Sequence, residues 1–310
     1  MKPASSSPTR PVALAEALLT TVIWGSSFVV AKIGLRSIGP ITLAGLRYFL
    51  AFLLLLPFLL SRVHRVGWPP ASILRRLALL GIAAYLVGNG TFFIALQVVP
   101  STTVSFLMGL IPILILAGSL TWLKEIPTRR QVFGLVISLL GTALFFVPGI
   151  DARAGRGLPI LGLGILGFGL FGLLGRSLAR DRQVDSLTLT TVPLAVGGAG
   201  LLITGWIVEG PPRLTADGLI VVAWLAVVNT AIAYLLYNHA LQRLTALQMN
   251  LVLNLSPFVT AVLASLLLDE NLLPLQLAGM VVATIGVAQA QHSPKAQAPA
   301  TGTASPLPGT

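Results

Sequence analysis

Across residues 14–33, 41–60, 77–97, 101–122, 131–149, 158–175, 187–207, 218–238, 246–268 and 274–290 the sequence holds only three charged residues, Glu16, Lys32 and Arg47. Stretches of that kind leave few folds open. A bilayer core ~30 Å thick takes about 20 mostly apolar residues as a helix, and each stretch matches that requirement. Barrel strands would instead alternate apolar and polar residues over about 10 positions, which none of these does. Composition agrees, because charged residues are 9% of the chain against roughly 25% in a soluble domain. The expected fold is an all-α polytopic membrane protein with ten transmembrane helices, solvated by the lipid bilayer.

The basic residues sort by side. Alternate connections, starting at the N-terminus, carry Lys2, Arg10, Arg62, Arg65, Arg75, Arg76, Lys124, Arg129, Arg130, Arg176, Arg180, Arg182, Arg243 and Lys295. The other side has only Lys32, Arg36, Arg153, Arg156 and Arg213. By the positive-inside rule both termini are expected in the cytoplasm. The same placement, between apolar runs rather than on one patch, argues against nucleic acid as the partner of the +11 net charge. Glu16 early in the first run, with no small-x-small cleavage site, points to an uncleaved first span rather than a signal peptide. Residues 1–11 form a short N-terminal tail, and the Pro/Ala/Ser/Thr tail 291–310 is expected to be disordered. The chain contains no cysteine, which removes disulfides and thiolate metal sites.

One half of the chain is written twice. A shift of 145 residues brings Pro112 onto Pro257, Glu125 onto Glu270, Gln131 onto Gln276, Gly134 onto Gly279 and Gly141 onto Gly286. A shift of 144 brings Trp24-Gly25 onto Phe168-Gly169 and Lys32 onto Arg176. The expected halves are 12–149 and 158–290, joined by a loop at 150–157. Each would hold five spans, so the second must enter the membrane from the opposite side. Inverted repeats of this kind belong to secondary transporters, with the substrate site near the midplane between the halves.

Residues that carry a resemblance are now in view. "WGSSFVVAK" in the first span, "LRY" in the second, and a doubled P-x12-E followed nine residues later by glycine resemble the EamA-type branch of the drug/metabolite transporter superfamily. The resemblance runs from residue 12 to 290, and the whole chain is most similar to the YddG-type amino-acid exporters of that branch. Arg47-Tyr48 departs mildly from the "RF" usual in the second span. The resemblance implies a ten-helix exporter of amino acids or related small solutes in a bacterial inner membrane.

The polar and aromatic residues inside the spans are the candidate site. Tyr85, Asn89 and Phe92 lie at i, i+4 and i+7, one face of an α-helix. Their repeat mates are Thr230, Tyr234 and Tyr237, followed by Asn238 and His239. Asn250, Asn254 and Pro257 share another face, with Ser105, Gly109 and Pro112 as mates. Trp24, Ser26 and Ser27 lie mid-span in the first helix, and Phe168 and Phe171 in the sixth. Trp24, Tyr85, Asn89, Phe92, Tyr234, Tyr237, Asn238 and Asn254 are the candidate lining of a cavity for a neutral or zwitterionic amphipathic solute. The alternative for each is bonding or packing between helices. Pro112, Pro257 and Gly169 are hinge candidates, within helices whose glycines permit close approach and bending. Arg47 lies seven residues into its span from Pro40, a depth hard to snorkel from, so a cavity or helix-gap role stands beside snorkelling, and Glu16 and Lys32 are expected to reach the headgroups. Glu125 and Glu270 are expected to favour the N-termini of the helices that follow them.

No H-E-x-x-H, G-x-S-x-G or paired intramembrane carboxylates occur, so the expectation is a protein that is not an enzyme and uses no cofactor or metal. Without a mid-membrane carboxylate in the inner spans, facilitated diffusion is favoured over proton coupling. A drug, nucleoside or nucleotide-sugar carrier is the alternative within the transporter class. Oligomeric state is not legible.

Overall fold

The computed structural model describes residues 8–96, 107–149, 155, 157–181, 183–212, 215–268 and 272–291. Residues 1–7, the start of the expected fourth span with Ser105, most of the 150–157 connection, Glu270 and the tail 292–310 lie outside the described residues. All regular structure among the described residues is helical. Helix α1 is Arg10–Gly34 and α2 is Pro40–Val66. Helix α3 begins as Ala71–Gly81, widens into a π-wound stretch at Ile82–Asn89, and ends as Gly90–Leu96. There follow α4 (Ile111–Leu123), α5 (Arg129–Phe146), α6 (Leu158–Arg180), α7 (Ser186–Glu209) and α8 (Ala216–Ala240), the last with a π-wound stretch at Val227–Ile232. The chain closes with α9 (Ala246–Leu253), α10 (Ser256–Leu268) and α11 (Pro274–Gln291).

Seven stretches among the described residues are long and apolar enough to cross a bilayer: Pro40–Val66, Ala71–Phe92, Arg129–Phe146, Leu158–Arg180, Ser186–Glu209, Ala216–Ala240 and Ala246–Leu263. The apolar helix Ile111–Leu123 is shorter. Helices α1 and α11 cover residues 14–33 and 274–290.

Local chemistry sets the helix ends. Thr128 and Thr245 each form a capping box, with Gln131 and Gln248 respectively, while Asp185 and Thr215 accept from Thr188 N and Gly218 N. Gly67 and Gly210 end α2 and α7 with φ of 81° and 79°, a region that side chains disfavour. At the far end of α2, the carboxylate of Glu209 accepts from Ile41 N at 2.9 Å and Thr42 N at 2.8 Å, so the end of α7 caps the start of α2.

Two helix pairs form long seams, α2 on α7 and α5 on α11. The second is held by glycines that bring backbone against backbone. A Cβ on Gly134 would lie 2.5 Å from Gly286 O, and one on Gly141 would lie 2.6 Å from Gly279 O. The 145-residue shift exchanges these two contacts, because it takes Gly134 to Gly279 and Gly141 to Gly286. The same shift relates three other features. The π-wound stretch of α3 falls on that of α8, and the turn at Gly109-Leu110 falls on the turn at Asn254-Leu255. Each turn is followed by a proline at the start of a new helix, Pro112 in α4 and Pro257 in α10. There proline costs no helical hydrogen bond, so it fixes the break.

Arg10 donates to the backbone carbonyl of Gln291, which places the first and last helices together at one face of the bundle. That terminal face also holds the pairs Arg62–Asp185, Arg176–Glu125 and His239–Glu16.

Candidate functional site

Six rings from five helices meet inside the bundle. Tyr234 on α8 is the hub: its ring centroid lies 5.0 Å from Trp24 of α1, 5.5 Å from Tyr85 of α3, 6.0 Å from Phe171 of α6, and 6.4 Å from both Tyr48 of α2 and Tyr237. Tyr48 and Tyr85 approach to 4.5 Å, and Phe171 stacks on Tyr237 at 5.2 Å with 14° between planes. Tilted and edge contacts dominate, the arrangement ring quadrupoles favour.

Polar groups flank the cluster, and the π-wound stretches help to supply them. A π turn replaces i→i+4 bonds by i→i+5 bonds and leaves a backbone carbonyl for other donors. In α3 the carbonyl of Ala84 accepts from Asn89 Nδ2 at 2.8 Å, while Asn89 Oδ1 accepts from the Tyr48 hydroxyl at 3.0 Å. At the matched position in α8, the carbonyl of Asn229 accepts from Trp24 Nε1 at 3.2 Å and from an Arg47 Nη2 at 3.4 Å. Arg47 also donates to Thr230 Oγ1 at 3.3 Å and Ser27 Oγ at 3.5 Å, and its guanidinium sits 4.7 Å over the Tyr48 ring. Asn229 Nδ2 donates to Ile23 O at 2.5 Å and Ser26 Oγ at 3.3 Å.

The residues singled out from sequence divide accordingly. Trp24, Tyr85, Tyr234 and Tyr237 share the cluster, and Asn89 reaches it through Tyr48. Phe92 packs in a separate apolar group with Ala95 and Leu161. Asn238 donates to Thr190 of α7 at 2.9 Å and Asn254 to Thr142 of α5 at 3.2 Å, both bonds between helices. A Cβ added at Gly169 would meet only Leu114 of α4, at an ordinary 3.5 Å. Sequence reasoning gave no part to Tyr48 or Asn229. Asn229 is the mate of Ala84, so comparing the repeats hides it; its one signal is an amide inside an uncharged run.

The terminal face carries buried charge. Glu125, beyond α4, binds Arg176 Nε at 2.7 Å and accepts from Ala246 N at 3.3 Å, while an Arg176 Nη1 reaches Leu241 O at 2.6 Å. Glu125 therefore favours the start of α9 rather than that of α5, which Thr128 caps instead. Glu16 does not extend outward alone: its Oε1 lies 2.7 Å from His239 Nδ1 of α8. Toward the opposite face an open groove of about 660 Å3 runs between the α4 and α6 sides, lined by Leu107, Leu110, Leu114, Gly162, Leu166 and other apolar residues. It offers no group to orient a polar solute.

The profile of the EamA-like transporter family matches residues 12–147 and again 156–289. The chain belongs to the EamA-like transporter family. It is a membrane transporter and not an enzyme. Among relatives, the uncharacterized inner membrane transporter YedA of Escherichia coli K12 is 28% identical over 257 residues, covering 81% of each chain. The uncharacterized transporter YyaM of Bacillus subtilis is 25% identical over 278 residues, covering 86% of this chain and 89% of its own. One solved crystal structure superposes with a TM-score of 0.77 at 16% identity, covering 91% of this chain and 98% of that one, a likeness of fold. The EamA-like assignment places the aromatic cluster and its flanking amides in a protein whose task is to move a solute.

Proposed function

We propose that this EamA-like transporter exports a small amphipathic solute, most simply a neutral or aromatic amino acid, across a bacterial inner membrane by alternating access. The observation that carries the reading is the six-ring cluster flanked by uncharged donors and acceptors at the matched π-wound stretches of α3 and α8. Rings accommodate an apolar side chain, and amides and hydroxyls accommodate a polar head. Two inverted five-helix halves, 12–149 and 158–290, are supported by the double family match and by the glycine contacts that the 145-residue shift exchanges. The excess of Lys and Arg on the terminal side supports cytoplasmic termini. The ion pairs at that face then act as the inner closure.

Counterflow in proteoliposomes with labelled amino acids, a nucleoside and a cationic dye tests the substrate class. Tyr234→Ala is expected to lower amino-acid exchange at least about tenfold, equivalent to 1.4 kcal/mol of binding, whereas Tyr234→Phe keeps the ring and most of the rate. Undiminished exchange by a folded Tyr234→Ala protein would remove the cluster from the solute's path.

Facilitated diffusion is the simplest driving mode. One observation favours proton coupling as a second reading: Glu16 pairs with His239 while its Oε2 is buried with no hydrogen-bond partner among the described residues. A pair of titratable groups joining α1 to α8 is a place where a proton can couple to helix movement. Uptake that requires an imposed pH gradient and is abolished in Glu16→Gln decides for coupling. Exchange indifferent to both decides for diffusion.

A further inference from the structure

Two arginines are buried among the described residues, and their surroundings differ in kind. Arg176, 7% exposed, has a carboxylate at 2.7 Å and a backbone carbonyl at 2.6 Å. Arg47, 9% exposed, has three neutral acceptors at 3.3, 3.4 and 3.5 Å, and among the described residues no carboxylate lies within ion-pair distance. Contacts of that length are at or beyond the normal range for N–H···O bonds. A buried cation is costly unless paired and fully hydrogen-bonded, and the guanidinium carries five donors in a planar fork suited to a carboxylate. The neighbouring Asn229 has the complementary deficit. Its Nδ2 is committed to Ile23 O and Ser26 Oγ, which fixes the orientation of the amide. Its Oδ1 is buried and has no hydrogen-bond partner among the described residues. An orphaned acceptor in such a place carries a desolvation penalty that an N–H donor relieves.

We infer that Arg47 and Asn229 form the head-group site for a zwitterionic solute, the guanidinium taking its carboxylate and Asn229 Oδ1 its ammonium. The two groups are adjacent, because Arg47 donates to the backbone carbonyl of the same Asn229. Trp24 donates to that carbonyl too, and its ring lies 5.0 Å from Tyr234, so the rings receive the solute's side chain. The single fixed positive charge selects a solute with one anionic group over a nucleotide or sugar phosphate with several. This inference rests on the transport reading above and assigns the residues that hold the amino and carboxyl groups of its amino-acid solute.

The test compares analogues on the unmodified full-length protein in proteoliposomes. Counterflow of labelled phenylalanine is competed with phenylalanine, phenylalaninamide and N-acetylphenylalanine, and the same series is run on leucine. The amide lacks the carboxylate and the acetyl derivative lacks the ammonium. Each analogue is expected to need at least about tenfold higher concentration than the parent, since a polar site left unpaired rejects an incomplete ligand strongly. Arg47→Gln is expected to remove the preference for acid over amide. Arg47→Lys is expected to retain part of it, as a point charge in place of a fork. Equal competition by acid and amide in the unmodified protein overturns the inference and leaves the transport reading standing. Exchange of the nucleoside or dye with no amino acid handled overturns both. Because the analogue comparison needs no variant, it decides the matter even where an Arg47 substitution fails to fold.

Discussion

Gly141→Ala is expected to force α5 away from α11 and to destabilise the protein by roughly 1–3 kcal/mol or more, the cost of overpacking a filled interior. A Cβ at that position would lie 2.2 Å from Ala283 N and 2.6 Å from Gly279 O. Both are backbone atoms, so no side-chain rotation relieves the clash and the helices themselves must move. Within a membrane there is little hydrophobic drive to hold helices together, and close packing through small residues carries much of the association. Gly286→Ala should cost a similar amount, because its Cβ would meet Ser138 N at 2.4 Å and Gly134 O at 2.6 Å, and the 145-residue shift takes Gly141 to Gly286. Gly162→Ala on α6 is the control: nothing lies within 4 Å of its added Cβ, and alanine's better helix propensity, ~1 kcal/mol, should leave it neutral or slightly stabilised. Unfolding midpoints in detergent across the three variants check this. A Gly141→Ala protein as stable as Gly162→Ala would show that the seam does not depend on backbone contact.

The seam shows what a sequence of this kind makes legible. Uncharged windows mark membrane helices because burial of charge in lipid is costly at every position, so the signal is spread over whole segments. The repeat is legible because glycine, proline and glutamate at fixed offsets have few substitutes. Winding within a helix is another matter. Tyr85, Asn89 and Phe92 share one face only at 3.6 residues per turn. The π-wound stretch Ile82–Asn89 turns less per residue, so by Phe92 the side chain has swung toward Ala95 and Leu161. No local composition announces that change, since the stretch IAAYLVGN reads like any other membrane-helix segment. Partners far apart in the chain are equally hidden. Glu16 and His239 stand 223 residues apart, and each alone resembles a charge at a membrane edge. Asn238 and Asn254 have the residue type of a cavity lining but bond Thr190 and Thr142 across helix interfaces. Which amide faces which neighbour is fixed by the rotation of whole helices, and single residues do not encode it.

The same distinction governs Arg176→Ala, expected to be among the most damaging single substitutions in the chain. Arg176 and Glu125 are only 8% and 11% exposed and bond at 2.7 Å. Removing the guanidinium leaves a buried carboxylate whose nearest other cation, Arg180, is 3.9 Å away. Breaking one side of a buried ion pair costs about 3–5 kcal/mol, most of it the penalty on the charge left behind. The loss spreads because Arg176 also holds Leu241 O at the end of α8 while Glu125 receives Ala246 N at the start of α9. One pair thus ties α6, the end of α4 and the turn between α8 and α9. Arg176→Lys should not restore stability, since one ammonium cannot serve the carboxylate and the carbonyl from a single fork. The double variant Glu125→Ala/Arg176→Ala should be less destabilised than the sum of its parts, the signature of coupled neighbours. Midpoints from thermal or denaturant unfolding measure each term of that cycle. Additive losses would mean that the two residues act separately. A strong coupling would show that the pair acts as one unit in holding α6, the end of α4 and the turn between α8 and α9 together.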